Sequence, residues 1–284
     1  LKIVVTGAGG RLGGKLVETL TARGHDVIGA SHADLEIADD HAVRAFFDRA
    51  QPDWVVHAAA WTDVDGCARE PDKALLINGY GTGNVASAAA HIGAGVAYVS
   101  SNEVFDGNGR APYHESAPTA PINAYGLSKW AGEQAIRHVN PHHMIIRTSW
   151  LFAHGGKNFI QSILNAAGAG KALRVVVNEI ANPTYTDDLA ESIAALLEHD
   201  RYGTYHLVNE GFCSRYQFAR YALDRAGYAA VPIEKIASHE WQRPSKPPMF
   251  SPLANTAAAA LGVKLRDWRA AVDAFLEKEG LLRG

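Results

Sequence analysis

Cysteine is nearly missing from this 284-residue chain. Cys67 and Cys213 are too few for a disulfide framework or a cysteine-built metal site, which favours a reducing compartment such as the cytoplasm. A surplus of one charge is missing too: 27 Lys+Arg stand against 30 Asp+Glu, mixed along the chain, for a net charge of -3. That balance, with no basic stripe interleaved with aromatics, gives no reason to expect a nucleic-acid partner. Apolar runs are short. The stretch 55–60 is interrupted by His57 and falls far below the roughly 20 residues of a bilayer-spanning helix, so no membrane partner is expected. A strand-like segment starts at Lys2, which leaves no room ahead of it for a signal peptide. Repeats and low-complexity tracts are lacking, apart from a brief alanine run at 257–260 that suits helix. With 47% apolar and 20% charged residues, general disorder is excluded, and the length fits one large domain or a domain with a satellite.

What is present is an alternation. β-branched runs at 3–6, 27–30, 54–57, 96–100, 144–148, 173–177 and 205–208 are separated by segments with apolar residues three and four apart. Several runs are continuously apolar, as strands buried on both faces are, so the pattern predicts parallel βαβ units. Leu12, Leu16 and Leu20 share one face of a first helix that Gly24 ends; Val43, Phe46 and Phe47 mark a second. After about residue 210 the character changes to a helix around 216–226, a Pro-rich stretch at 244–252 and two short helices. The expectation is an α/β Rossmann-type doubly wound parallel sheet formed by 1–150 and about 171–210, with a smaller, discontinuous substrate-binding lobe formed by about 151–170 and 211–284.

Thr6-Gly7-Ala8-Gly9-Gly10-Arg11-Leu12-Gly13 follows the first strand and opens the first helix. Gly7, Gly10 and Gly13 let the backbone turn sharply and approach a pyrophosphate, which the free amides and the positive end of the helix dipole favour. A glycine-rich turn for close packing is the plainer reading, but the strand-to-helix context favours a dinucleotide. The second strand ends near Ser31-His32 without the acid that often binds the adenosine ribose; Asp34 and Glu36 lie slightly beyond. An absent tip acid removes a source of repulsion toward a 2′-phosphate and favours NADPH over NADH. Arg11 and His32 are candidates for that phosphate, or else solvated surface charges.

Tyr125-Gly126-Leu127-Ser128-Lys129 sets a phenol and an amine four residues apart, on one helical face. An adjacent ammonium stabilises phenolate and makes the phenol a better acid toward a carbonyl. Such a pair is usually only a helix-surface contact. With the glycine loop, and with Ser101 just after a buried strand, it becomes a catalytic candidate.

Together these segments resemble the extended short-chain dehydrogenase/reductases, and within them the dTDP-4-dehydrorhamnose reductase family, over nearly the whole chain. Further support comes from the run from Pro52 to Asp65, Val104-Phe105-Asp106-Gly107, Ala131-Gly132-Glu133, Arg147-Thr148-Ser149-Trp150 and Asn182-Pro183-Thr184. The resemblance implies hydride delivery from NAD(P)H to the C4 carbonyl of a nucleotide-linked 4-keto-6-deoxy sugar. Tyr125 would donate the proton, Lys129 would hold the nicotinamide ribose and tune Tyr125, and Ser101, where the family more often has threonine, would bind the carbonyl oxygen. Ala58, Ala59, Ala60 and Ser100 would lie along the cofactor, with Asn78 on the cofactor side or in a relay. Val64 and Trp150 would line the sugar site, although Trp150 equally fits a core aromatic. A homodimer is a family-level expectation.

Departures from the family pattern concern the substrate. Where the family has Ser-Thr-Asp-Tyr-Val-Phe-Asp-Gly, this chain has Ser100-Ser101-Asn102-Glu103-Val104-Phe105-Asp106-Gly107. Either Glu103 turns to solvent or to a local base, or it reads a hydroxyl or amino group on a different sugar. The usual late Arg-Pro pair is missing from Lys246-Pro247-Pro248, leaving Arg243 and Lys246 as cationic contacts for a diphosphate. Lys15 stands where some members have an acid that binds magnesium, so no equivalent metal site is expected. The competing readings are a catalytically silent NADP-binding protein like the regulatory subunit of methionine adenosyltransferase, and a nucleotide-sugar epimerase or dehydratase.

Overall fold

The computed structural model describes residues 1–156 and 158–283. Strands β1 (Lys2–Thr6), β2 (Asp26–Ala30), β3 (Trp54–His57), β4 (Gly95–Ser101) and β5 (His143–Thr148) are followed by the short β6 (Leu151–Phe152), β7 (Leu173–Val176), β8 (Ile180–Ala181) and β9 (Thr184–Tyr185). The chain continues through β10 (Gly203–His206), β11 (Cys213–Ser214) and β12 (Ile233–Ile236). Six of these make one parallel sheet in the order β10-β5-β4-β3-β1-β2. Chain order reverses between β1 and β3, the switch point where open α/β sheets take ligands.

Helices α1 (Arg11–Ala22), α2 (Asp40–Ala50), α3 (Val64–Arg69) and α4 (Pro71–Ala74) precede a π-helical turn at Leu75–Gly81. After it come α5 (Thr82–His91), α6 (Ala124–Val139), α7 (Phe159–Gly168), α8 (Thr186–Leu197), α9 (Arg215–Arg225), α10 (Thr256–Ala260) and α11 (Trp268–Lys278). Alternation along the strands sends Ile3 and Val5 to the face covered by Leu16 and Leu20 of α1 and Ile193 and Leu197 of α8. Val4, Val55 and Val96 go to the opposite face, under Val43 and Phe47 of α2, Val85 of α5 and Ile136 of α6. Both faces are covered, which is why the strands read as unbroken apolar runs.

A separate core built from Phe152, Ile160, Leu164, Phe218, Trp268 and Phe275 forms the smaller lobe. One strand lies elsewhere than the alternation suggested. The run expected at 173–177 forms over β7 but pairs with β12, and Leu173 packs into the lobe core. The preceding α7 carries Ile160 and Leu164 into that core and keeps the chain there, so the sixth sheet position falls to β10, beside β5.

Candidate active site

The glycine loop sits at the switch point. Gly7 has φ +72°, and a Cβ there would lie 2.7 Å from the Ala59 nitrogen just past β3, so only glycine lets the two strand ends approach this closely. A Cβ on Gly13 would meet the Gly7 carbonyl oxygen at 2.1 Å, which fixes the start of α1 against the turn. Gly10 caps α1 without a side chain, and its own N–H bonds the Gly7 carbonyl at 2.9 Å. The result is a cradle of backbone amides with no side chain over it, bordered by half-buried Leu12 and by half-buried Ala58, Ala59 and Ala60. It fits a pyrophosphate. At the end of β2, the Asp34 carboxylate turns back to accept from the Ser31 N–H (2.9 Å) and hydroxyl (2.6 Å), which holds its pKa below the usual range. His32 and Glu36 are exposed beyond it, 3.5 Å apart, and Arg11 is exposed at the first turn of α1.

Ser101 ends β4, and Tyr125 and Lys129 stand on the first turns of α6. Two small residues bring the elements together: a Cβ on Gly126 would lie 2.1 Å from the Glu103 carbonyl oxygen, and one on Gly132 would lie 2.7 Å from the Asn78 carbonyl oxygen. Asn123 caps α6, its Oδ1 accepting from the Gly126 N–H at 2.8 Å. Ser101 acts on the Tyr125 phenol as a hydrogen-bond partner that favours the phenolate, but burial, and after it the Glu103 carboxylate, push the Tyr125 pKa well above its ordinary value. Buried Lys129, one helical turn on, rests over the Tyr98 ring, Nζ 4.2 Å from the centroid, and desolvation lowers its pKa to about 7 against the pull of Glu133.

Asn78 and Ser100, expected along the cofactor, point into the protein. Asn78 lies in the π turn, fully buried; it accepts from the Trp61 N–H (2.8 Å) and donates to the Trp61 carbonyl and the Ser128 hydroxyl (both 3.0 Å). It clamps the loop after β3, so its effect on a cofactor is exerted through Ala58 to Trp61. The Ser100 hydroxyl donates to Glu133 at 2.7 Å, and Glu133 is gripped by Arg147 through two hydrogen bonds of 2.9 and 2.7 Å.

Near enough to Glu103 to act on its ionisation is a charged group that the spacing did not reveal. Arg243 hydrogen-bonds Glu179, and the Arg215 Nε lies 4.0 Å from the other Glu179 oxygen. Burial brings the Arg215 pKa down to about 10. The Arg215 guanidinium also stacks 3.7 Å from the centre of the Trp150 ring. Trp150 packs against the lobe core, as a core aromatic would, and has φ +39°. Arg243, a candidate cationic contact for a diphosphate, is thus paired with a carboxylate in the protein alone. Exposed Lys246 offers its carbonyl to Asn123 at 3.0 Å.

Glu103 is half-buried and ion-pairs with none of the described residues: the Asn123 amide donates to it at 2.5 Å, and burial raises its pKa despite nearby Arg215 and Arg243. Asn102 is buried and donates to the Ser251 hydroxyl at 2.7 Å, so it holds the Pro-rich loop. Asp65 pins the same loop by accepting from the Ser245 N–H at 3.1 Å, next to half-buried Val64. Lys15 pairs with Glu18 at 2.8 Å. Among the described residues, no group of three His, Cys, Asp or Glu could hold a metal ion.

The family model described as the RmlD substrate binding domain matches residues 1–280. The chain belongs to this family. Among RmlD-family relatives, the spore coat polysaccharide biosynthesis protein SpsK of Bacillus subtilis is 41% identical over 277 residues, 98% of this chain and 97% of its own. A dTDP-4-dehydrorhamnose reductase of Mycolicibacterium smegmatis is 34% identical, over 95% of this chain and 84% of its own. A crystal structure of the Bacillus anthracis dTDP-4-dehydrorhamnose reductase with NADP superposes with a TM-score of 0.94 at 32% identity, covering 98% of this chain and 99% of that one. Against that RmlD-family background, Arg215, Glu179 and Asn123 are the site residues that motif reading missed. Ser214, which caps α9 just ahead of Arg215, was the one available signal, since a helix start places its first side chains at an element's end.

Proposed function

We propose that this chain reduces the C4 keto group of a nucleotide-activated 4-keto-6-deoxy sugar with NAD(P)H, as a step of deoxysugar biosynthesis. The observation that carries the reading is the meeting of Ser101 and Tyr125 at the ends of β4 and α6, with Lys129 one turn further, on the same edge of the sheet as the glycine cradle. Gly7, Gly10, Leu12 and Gly13 would hold the dinucleotide's pyrophosphate, and Ala58 to Ala60 would flank it. Bound nicotinamide supplies the hydride. The protein's own part concerns the oxygen of the ketone. Tyr125 is protonated near neutrality, as an ordinary phenol is, and burial beside Glu103 holds it further from ionisation; a reduction needs a proton donor in that state. Ser101 Oγ offers a second hydrogen bond where negative charge develops. Lys129 would bind the nicotinamide ribose, and Val64 and Trp150 would wall the sugar.

NADPH is the proposed preference, because Asp34 is folded onto Ser31 and leaves the β2 tip without a carboxylate aimed at the ribose. A cytoplasmic location fits two buried, unpaired cysteines. The test supplies dTDP-4-keto-6-deoxyhexoses with NADPH and, separately, NADH. The expected result is sugar-dependent oxidation, faster with NADPH, and a loss of at least about 100-fold in kcat for Tyr125→Phe with cofactor affinity unchanged. A wild type that binds NADPH but oxidises none across a nucleotide-sugar panel overturns the reading in favour of a regulatory protein.

A further inference from the structure

We propose that Glu103 selects the sugar by accepting a hydrogen bond from the hydroxyl on the carbon next to the reacting carbonyl. The inference rests on the reductase reading and names the sugar feature that the same site recognises. Glu103 lies two residues after Ser101, and its backbone is pressed against the first turn of the helix that carries Tyr125. Its carbonyl abuts Gly126, the neighbour of Tyr125, and its carboxylate is bonded by Asn123, two residues ahead of Tyr125, so the side chain lies at the end of α6 that carries the phenol, and its charge opposes the phenol's ionisation.

The side chain is held rather than loose. The Asn123 amide donates to one carboxylate oxygen, while Asn123 Oδ1 caps α6, so one residue fixes both the carboxylate and the start of the catalytic helix. That contact uses a fraction of the carboxylate's roughly four acceptor positions. The nearby arginines reach Glu103 through their charge, while their closest carboxylate contacts are to Glu179, which hydrogen-bonds Arg243 and lies 4.0 Å from Arg215. A partly buried carboxylate with spare acceptor capacity beside a proton-donating phenol is matched by a donor on the substrate. In a 4-keto-6-deoxy sugar the reacting carbon has two ring neighbours: C5 carries the methyl group, and C3 carries the hydroxyl. The C3 hydroxyl is therefore the donor within reach.

The experiment compares a dTDP-4-keto-6-deoxyhexose with its 3-deoxy counterpart, following NADPH oxidation by wild type, Glu103→Gln and Glu103→Asp. A hydrogen bond to a charged acceptor corresponds to about 10- to 100-fold in kcat/KM, so wild type should favour the hydroxyl-bearing sugar by at least that factor. Glu103→Gln should cut the ratio about tenfold, since any effect on the Tyr125 phenol is common to both sugars and cancels from the ratio, and Glu103→Asp should restore part of it. A substitution that slows both sugars equally shows a role in the architecture only and overturns the proposal, as does an unchanged ratio. Lack of turnover by wild type with either sugar sinks the reductase reading itself, a result separable from the other two.

Discussion

A methyl group on residue 126 would press 2.1 Å from a backbone oxygen, on a residue that cannot yield without moving the turn after β4. Gly126→Ala should therefore shift Tyr125 away from Ser101. A misplacement of about 1 Å at a reacting group costs on the order of 100-fold in rate. The expected outcome is a fall of that size in kcat with cofactor affinity near wild type, since the glycine cradle lies on a different element. Steady-state kinetics with a cofactor titration check both halves. Gly126 was visible in the Tyr125 to Lys129 motif only as a spacer, because the oxygen it makes room for belongs to a residue 23 positions earlier.

The π turn Leu75–Gly81 is the element that the sequence concealed. An extra residue in a helical turn leaves no mark on apolar spacing, yet such turns gather at functional sites. Here the turn inserts Asn78 between α6 and the loop after β3, where its amide satisfies both backbone groups of Trp61 and the Ser128 hydroxyl. Asn78→Ala takes from the Trp61 N–H its side-chain acceptor and leaves the Trp61 carbonyl with only the weak Cys67 thiol, while the Ser128 hydroxyl keeps the Tyr125 carbonyl, at about 1–3 kcal/mol for a group that stays buried without a partner. Urea unfolding should show a loss of that order. Cofactor affinity should fall with it, because the loop that carries Ala58 to Ala60 is released; unchanged affinity would argue that Asn78 is structural alone. The helices with long apolar stripes, α1 and α2, were legible from Leu16, Leu20, Val43 and Phe47, since amphipathic spacing needs no knowledge of partners.

For the molecule as a whole, two histidines tie stability to pH. His57 is fully buried between the hydroxyls of Thr6 (2.6 Å) and Thr82 (3.0 Å), and His206 is fully buried next to Arg147. Burial lowers both pKa values from 6.5 to about 3. With folded values depressed, the stabilising difference is present above pH 6.5 and is lost as pH falls toward 3, because the unfolded chain takes up protons that the folded one refuses. Between pH 7 and pH 5 the loss should be about 2 kcal/mol for each histidine, before most carboxylates titrate. Urea unfolding at the two pH values checks it, and His206→Gln should remove about half of the slope. A wild-type stability that does not change over this interval would show that these rings accept protons in place.

The sequence by itself determined the parallel sheet, the glycine turn ahead of α1 and the phenol and amine one helical turn apart, because these depend on residue types at short spacing. Only the tertiary structure decided that β7 joins β12 and not the large sheet, that Arg243 pairs with Glu179, and that Glu103 is held by Asn123 near Tyr125. Those outcomes join residues far apart in the chain. Which apolar run meets which sheet, and which charge finds which partner, follows from how helices and loops fill space around the strands, and local pattern carries no record of that.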